Sequence, residues 1–440
     1  MSRGTGKSSA ANGARTHVLC ALVVVPLFLA LAALGANEDP LAAIFAAIQI
    51  IGALAVIALL WNDAPARFWV RAAPCAILVA LMIVWTLGAN RFAPMRLAPD
   101  AAPLELLKLT GLIGGALSAG LVGCSHRRFK RLALWLAIVG LVYTLFSLWA
   151  AQAHPLTVWG QSKGAHTYRF SGTLLNANAA GCVFGMIGLV SLGLMHQHLE
   201  RLDLRTSGLR DFVAVALPAC GMIAALGACA LTVSRTSLAV TLVLALAITA
   251  LAAHRSRNKI ILGASIFLLV SGAIFAGGQV TSRWDTVSAD AIARADTYAY
   301  YATGVTASPL FGFGLGSFKL WNETNLTAGN ASVFWPNGAA HAALLQSALE
   351  GGAPYAILIL AAMFVAAGQI VAKPPGGRSL DATAVGMLAA AVLAIACSFL
   401  DIALNVPALA AFAFVLLGAV WGLRVPVRKS ASPTPEPAHV

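Results

Sequence analysis

Four ionisable side chains are the first candidates for chemistry: Arg169, Arg235, Arg294 and His341. Arg169 belongs to HTYRFSGTLLNANAAG (166–181), which sets an arginine, hydroxyls and two asparagines where an apolar run begins. Arg235 lies in LTVSRTSLAV, a turn so short that its guanidinium must stay at the edge of the two apolar runs it joins. A guanidinium fork matches phosphate oxygens two at a time. Ser171, Gly172 and Thr173, read as the opening of a helix, would add backbone N–H donors for an anion. Asn176 and Asn178 can either cap that helix or touch a ligand. The competing reading of Arg169, Arg235 and Arg294 is an arginine reaching to lipid headgroups. His341 opens HAALLQSALEGG. A neutral imidazole there can take a proton from a hydroxyl near pH 7, although a histidine at a helix start is more often structural.

The elements that must position these residues follow from composition. The 440-residue chain is 59% hydrophobic and 10% charged, with mean hydropathy +0.83. Soluble domains carry about 25% charged residues, so the sequence reads as an all-α polytopic membrane protein. Twelve apolar runs are long enough to cross a hydrocarbon core of roughly 30 Å. They fall at 17–36, 41–61, 70–89, 103–123, 132–152, 176–196, 212–232, 237–253, 260–276, 353–372, 382–400 and 407–423. Helices are expected because lipid leaves open strand edges unsatisfied. The net charge of +13 is topological rather than a nucleic-acid signature: with the N-terminus inside, 20 of the 29 Lys and Arg fall in cytoplasmic segments. That is the positive-inside asymmetry.

The chain divides into a cytoplasmic tail (1–16), nine spans (17–276), a loop domain (277–352), three spans (353–423) and a polar, Pro-rich, disordered cytoplasmic tail (424–440). The first run is read as a retained helix rather than a cleaved signal. Two long connections, 153–175 and 277–352, fall on the outer side. The second is rich in aromatics, among them Tyr298 and Trp321, so a folded, partly helical cap is expected. Within it, 286–303 has helical spacing and 338–350 reads as a surface helix leading into the tenth span. The run GFGLGSF (312–318) lacks dinucleotide-site spacing and reads as a tight turn with close backbone approach. Glu105 and Lys108, three apart, pair with each other. His196 and His198 read as a solvated HxH loop. The seven cysteines show no CxxC pair and read as packing residues.

Taken in order, these motifs resemble the bacterial O-antigen ligase and O-antigen polymerase superfamily. RFSGTLLNAN is similar to its Arg-x-Ser-Gly-Thr-x-x-Asn-x-Asn entry to a membrane helix, and SRTS to its Ser-Arg turn. SPLFGFGLGSF resembles its glycine-rich element of the large periplasmic loop, and His341 followed by Gly352 matches its His–Gly spacing. Ala342 and Ala177 stand where the family often has Asn and Pro. The resemblance implies a multi-pass enzyme of the bacterial inner (cytoplasmic) membrane with its site facing the periplasm. It implies a donor glycan on undecaprenyl pyrophosphate, engaged by Arg169, Arg235 and Arg294, and an acceptor activated by His341. Ser171, Gly172, Thr173, Asn176, Asn178 and Tyr298 would line the substrate site, with loop aromatics either stacking on sugars or forming an interfacial belt. The expected activity is metal-independent inverting glycosyl transfer with no cofactor. The acceptor is lipid A–core for a ligase, and a second lipid-linked glycan for a polymerase. The rival of another class is a membrane transporter or lipid-linked sugar flippase.

Overall fold

A computed structural model describes residues 4–202, 207–256, 263, 266, 270, 287–335, 337–372 and 379–425. The chain is nearly all helical. Among the described residues eight helices precede the cap: α1 (Gly4–Ala32), α2 (Asp39–Leu60), α3 (Ala66–Phe92), α4 (Ala102–Gly123), α5 (His126–Ala153), α6 (Ala177–Leu199), α7 (Leu209–Leu231) and α8 (Arg235–Ser256). Between α5 and α6 a two-stranded hairpin pairs β1 (Thr157–Val158) with β2 (Gln161–Ser162), Thr157 opposite Ser162. The cap holds α9 (Val287–Ala307), α10 (Phe318–Thr324) and α11 (Ala331–Phe334), and α12 (Ala343–Val371), α13 (Ala382–Ser398) and α14 (Pro407–Leu423) complete the described chain.

Among the described residues nine helices are long and apolar enough to cross a membrane: α1 from Asn12, then α2 to α8, and α12. Helices α13 and α14, at 17 residues each, are shorter. Apart from residues 263, 266 and 270, the ninth span expected over 260–276 lies outside the described residues, and so do 277–286 of the cap. The expected surface helix over 338–350 begins at Ala343, and the expected tenth span follows it within α12 after a kink at the non-helical Gly352 (φ 77°, ψ 171°).

Outward faces are apolar: Ile44, Ile48, Ile51 and Leu54 of α2, and Val70, Ile77, Leu81 and Val84 of α3, are all exposed. Such stripes suit lipid, where apolar surface carries no penalty. Every residue in the most apolar window of α6 is buried, and this helix is packed by α7, α8, α13 and α5. Small residues permit the closest crossings, as lipid-embedded interfaces require. A Cβ on Gly422 of α14 would come 2.0 Å from the Gly120 carbonyl oxygen of α4, and one on Gly193 of α6 would come 2.6 Å from the Ala382 carbonyl oxygen.

At one end of the bundle, cations bind an acid and backbone carbonyls. Arg15 and Arg128 pair with Asp63 at 3.1 and 3.4 Å, and Arg255 donates to the Leu380 carbonyl at 3.0 Å. Arg424 donates to the carbonyls of Ile370 and Val371, each at 2.8 Å. The opposite end carries the hairpin and the cap. A second apolar core, formed by Tyr301, Phe313, Phe318, Trp321, Ala340 and Leu349, lies there, with Tyr300 stacked on Phe334 at 4.2 Å.

Candidate functional site

The site grows from the start of α6. Asn176 is its N-cap: the side-chain oxygen accepts from the N–H groups of Asn178 (2.8 Å) and Ala179 (3.1 Å). Helix α6 therefore begins at Ala177, and Ser171, Gly172 and Thr173 precede it rather than open it. They are buried turn residues: Gly172 takes φ 55°, and the Leu174 N–H closes onto the Ser171 carbonyl at 3.0 Å. Thr173 donates to the Leu31 carbonyl and bonds the Tyr143 hydroxyl, each at 2.8 Å. These contacts tie the turn to α1 and α5. The side chains of Ser171 and Thr173, each 1% exposed, face the interior rather than an anion at the surface.

Asn178, one residue into α6, is a bridge. Its amide oxygen accepts from Arg169 Nη2 at 2.7 Å, and its Nδ2 donates to Asp401 Oδ2 at 2.5 Å. Asp401 lies in the connection between α13 and α14. At about 1.5 Å per residue, helices of 17 residues fall roughly 5 Å short of a 30 Å core, so their connection is drawn into the protein and Asp401 is 7% exposed. Its other oxygen, Oδ1, accepts from the Ile402 N–H at 2.7 Å and faces His341 Nδ1 at 3.3 Å. Burial works to raise the Asp401 carboxyl. The hydrogen bond and charge of His341, with the Ile402 and Asn178 donors, outweigh burial and hold it below the ordinary carboxylate range.

An ionised carboxylate only accepts hydrogen bonds, so the Asp401 contact places the His341 proton on Nδ1 and leaves the Nε2 lone pair to accept another. His341 itself takes φ 54°, a left-handed conformation that a bulky residue adopts only when its surroundings impose it. Tyr298 of α9 contributes to that restraint, its hydroxyl lying 3.3 Å from the carbonyl oxygens of both His341 and Phe399. Burial pushes the Tyr298 phenol up against the opposing charge of Arg294, one helical turn earlier. Arg294 and Asp401 are thus both electrostatic neighbours of Tyr298.

Arg169 is deeply engaged. Nε donates to the Thr232 carbonyl at 3.0 Å, Nη2 to the Val233 carbonyl at 3.1 Å as well as to Asn178, and Nη1 lies 3.3 Å from His166 Nδ1. Burial and the Arg169 cation hold His166 below the ordinary histidine value. Lys163 supports the same strand of chain, donating to the Arg169 carbonyl at 3.2 Å. Thr232 and Val233 form the turn into α8, whose first residue is Arg235. Val233 takes φ 52°, which for a β-branched residue costs roughly 1–3 kcal/mol. Both carbonyls of this turn face Arg169. The guanidinium therefore braces α6 against the turn that presents Arg235. Ser237, in the first turn of α8, closes the junction by donating to the Asn178 carbonyl at 3.2 Å.

The structure thus joins Arg169, Asn178 and His341 in one chain of contacts, with Tyr298 and Arg294 beside it and Arg235 on the braced turn. Asn176 serves the helix, and Ser171, Gly172 and Thr173 serve packing. Trp321 is buried in the cap core, so it has no face to offer a sugar. Sequence reasoning missed Asp401. Its signal was a lone carboxylate in SFLDIALNVP between two apolar runs, the kind of residue that lipid tolerates only with a partner. Among the described residues no three His, Cys, Asp or Glu side chains come together as metal ligands. The fold and site define a polytopic helical membrane protein in which a half-exposed histidine, His341, pairs with a buried carboxylate, Asp401. Neither protein-family models nor curated protein sequences give a match to the chain.

Proposed function

We propose that the protein is an O-antigen ligase-like glycosyltransferase of a bacterial inner membrane. It would carry twelve spans, the 260–276 run supplying the ninth, with the cap in the periplasm. The donor is a glycan on undecaprenyl pyrophosphate and the acceptor a hydroxyl of lipid A–core. The observation that carries this reading is the His341–Asp401 pair, linked through Asn178 to Arg169 and so to the Arg235 turn. In the reaction the acceptor oxygen attacks the anomeric carbon and its proton passes to His341 Nε2. The bond from that carbon to the phosphate oxygen breaks, and the electron pair leaves with undecaprenyl pyrophosphate. Attack opposite the leaving group inverts the anomeric centre. Asp401 stabilises the imidazolium formed. Arg235 and Arg294 stabilise charge on the departing pyrophosphate, a contribution worth about 10²–10³ in rate per donor. Arg169, tied to backbone and Asn178, acts by holding the Arg235 turn.

The test is transfer by the purified protein in lipid nanodiscs, from an undecaprenyl-pyrophosphate glycan to lipid A–core. Product formation that survives EDTA and is lost in His341→Ala and Arg235→Ala supports the reading. Wild-type transfer by His341→Ala would overturn the base assignment, and strict dependence on added Mg²⁺ would overturn the guanidinium account. Products elongated on the lipid carrier in place of modified lipid A–core would assign a polymerase of the same chemistry.

A further inference from the structure

The left-handed backbone at His341 needs something to impose it, and the contacts around Gln346 do so. Gln346 lies in the first turn of α12, and its own N–H donates to the Ala342 carbonyl at 3.0 Å. Its side-chain Oε1 accepts from the Ala340 N–H at 3.1 Å. One residue therefore grips the chain on both sides of His341. The same Oε1 accepts from Asn405 Nδ2 at 2.8 Å, and Asn405 closes the short connection that begins at Asp401. The two segments bearing the histidine and its carboxylate meet at a single amide oxygen.

The opposite end of that amide is fixed as well. Gln346 Nε2 donates to Glu350 Oε1 at 3.0 Å, one helical turn on. Glu350 is 8% exposed and accepts from the N–H groups of Phe318 (3.2 Å, Oε1) and Gly316 (3.1 Å, Oε2). The Ala340 N–H can only donate, so the amide turns its oxygen to that N–H and its Nε2 to Glu350. The glycine run 312–318, Glu350, Gln346 and the His341 segment form one continuous relay.

We propose that Gln346 is a positioning residue for glycosyl transfer: its amide, aligned by Glu350, sets the His341 backbone and holds the Asp401 connection in register with it. This rests on the reading of His341 as the base. Ring and carboxylate are 3.3 Å apart, and a misplacement near 1 Å at such a site costs up to about 10²-fold in rate. Gln346 touches neither His341 side-chain nitrogen, so its effect falls on turnover rather than on donor binding.

The experiment measures kcat and donor KM in the nanodisc assay for Gln346→Leu, Gln346→Glu and the exchange Gln346→Glu/Glu350→Gln. Gln346→Leu is expected to lower kcat about 10–100-fold with donor KM within about twofold of wild type. Gln346→Glu alone sets two carboxylates together and is expected to do the same. The exchange restores an amide donor facing a carboxylate, and recovers at least about tenfold over Gln346→Glu. Wild-type kcat in Gln346→Leu, a loss confined to KM, or an exchange no better than Gln346→Glu overturns the proposal. If Gln346→Leu is not recovered folded, the comparison of exchange with Gln346→Glu decides. His341→Ala in parallel separates the two ideas. An active His341→Ala sinks the base reading, whereas an inactive one beside a fully active Gln346→Leu sinks only the role of Gln346.

Discussion

With Oδ1 toward His341 and Oδ2 held by Asn178, Asp401 sets both the orientation and the tautomer of the imidazole. Asp401→Asn keeps the shape and removes the charge that an imidazolium needs. Transfer in single-turnover assays is expected to fall about 10²-fold or more, with the amount of membrane-inserted protein unchanged, and an undiminished rate would remove Asp401 from the mechanism. The depressed Asp401 carboxyl contributes stability that is complete above the ordinary carboxylate value and is lost as pH falls through its folded value. His166 gives a second window at higher pH. Burial and Arg169 lower it, His341 adds to that, and Asp401 opposes it. Because its folded value lies below 6.5, the unfolded chain binds the extra proton first as pH drops. Its contribution is therefore present above pH 6.5 and is lost below it. His166→Gln should flatten the fall in thermal midpoint of the detergent-solubilised protein between about pH 6.5 and 5. An unaltered slope would mean that other groups carry it.

At the scale of elements, the glycine run 312–318 is a collar around the turn in α12. The Phe313 and Gly314 N–H groups donate to the carbonyls of Leu349 (3.0 Å) and Glu350 (2.8 Å), and Ala353 N–H donates to the Pro309 carbonyl at 2.8 Å. Gly352 combines φ 77° with a Cβ position only 2.0 Å from the Leu310 carbonyl oxygen, whereas Gly314, at φ 101°, has open space around it. Gly314→Ala should cost roughly 1–2 kcal/mol through backbone strain alone. Gly352→Ala adds a clash with backbone that cannot move aside, and is expected to exceed about 4 kcal/mol. Size-exclusion profiles and thermal midpoints of the two variants check this, and equal losses would rule out the close approach as the cause. Close approach in this run was legible from its glycines, as the spans were from their uniform composition, since lipid constrains every residue of a crossing. The start of α6 was less so. SGTLLNANAAG reads as helical from Ser171 onward, but the positive φ of Gly172 and the Asn176 cap delay the helix to Ala177. The Asp401–His341 contact and the Gln346 relay join positions on separate elements, and the pairing arises only when the short α13–α14 connection folds inward. Nothing local in the sequence encodes that. The role of Arg169 was hidden for the same reason: its carbonyl partners belong to a turn 63 and 64 residues away.

Across the whole molecule the two ends are chemically unlike. The end that carries Arg15, Arg128, Arg255 and Arg424 places its guanidinium groups on Asp63 and on backbone carbonyls, and at the C-terminus of α12 Arg424 also complements the helix dipole. The other end carries a folded cap, and there Arg169 reaches Asp401 through Asn178 while Arg294 lies one helical turn from Tyr298. A lipid-linked pyrophosphate made inside and used outside would need this polarity, because the acceptor sugars would lie beyond the outer leaflet. The prediction is therefore vectorial. In a variant whose seven native cysteines are replaced, Tyr168→Cys, at a position 96% exposed beside the site, should react with a membrane-impermeant maleimide added to intact spheroplasts. Asp63→Cys, exposed at the far end, should react only after the membrane is opened. Labelling of Asp63→Cys in intact cells with protection of Tyr168→Cys would invert the molecule. It would place the histidine on the cytoplasmic side and exclude transfer to an acceptor outside.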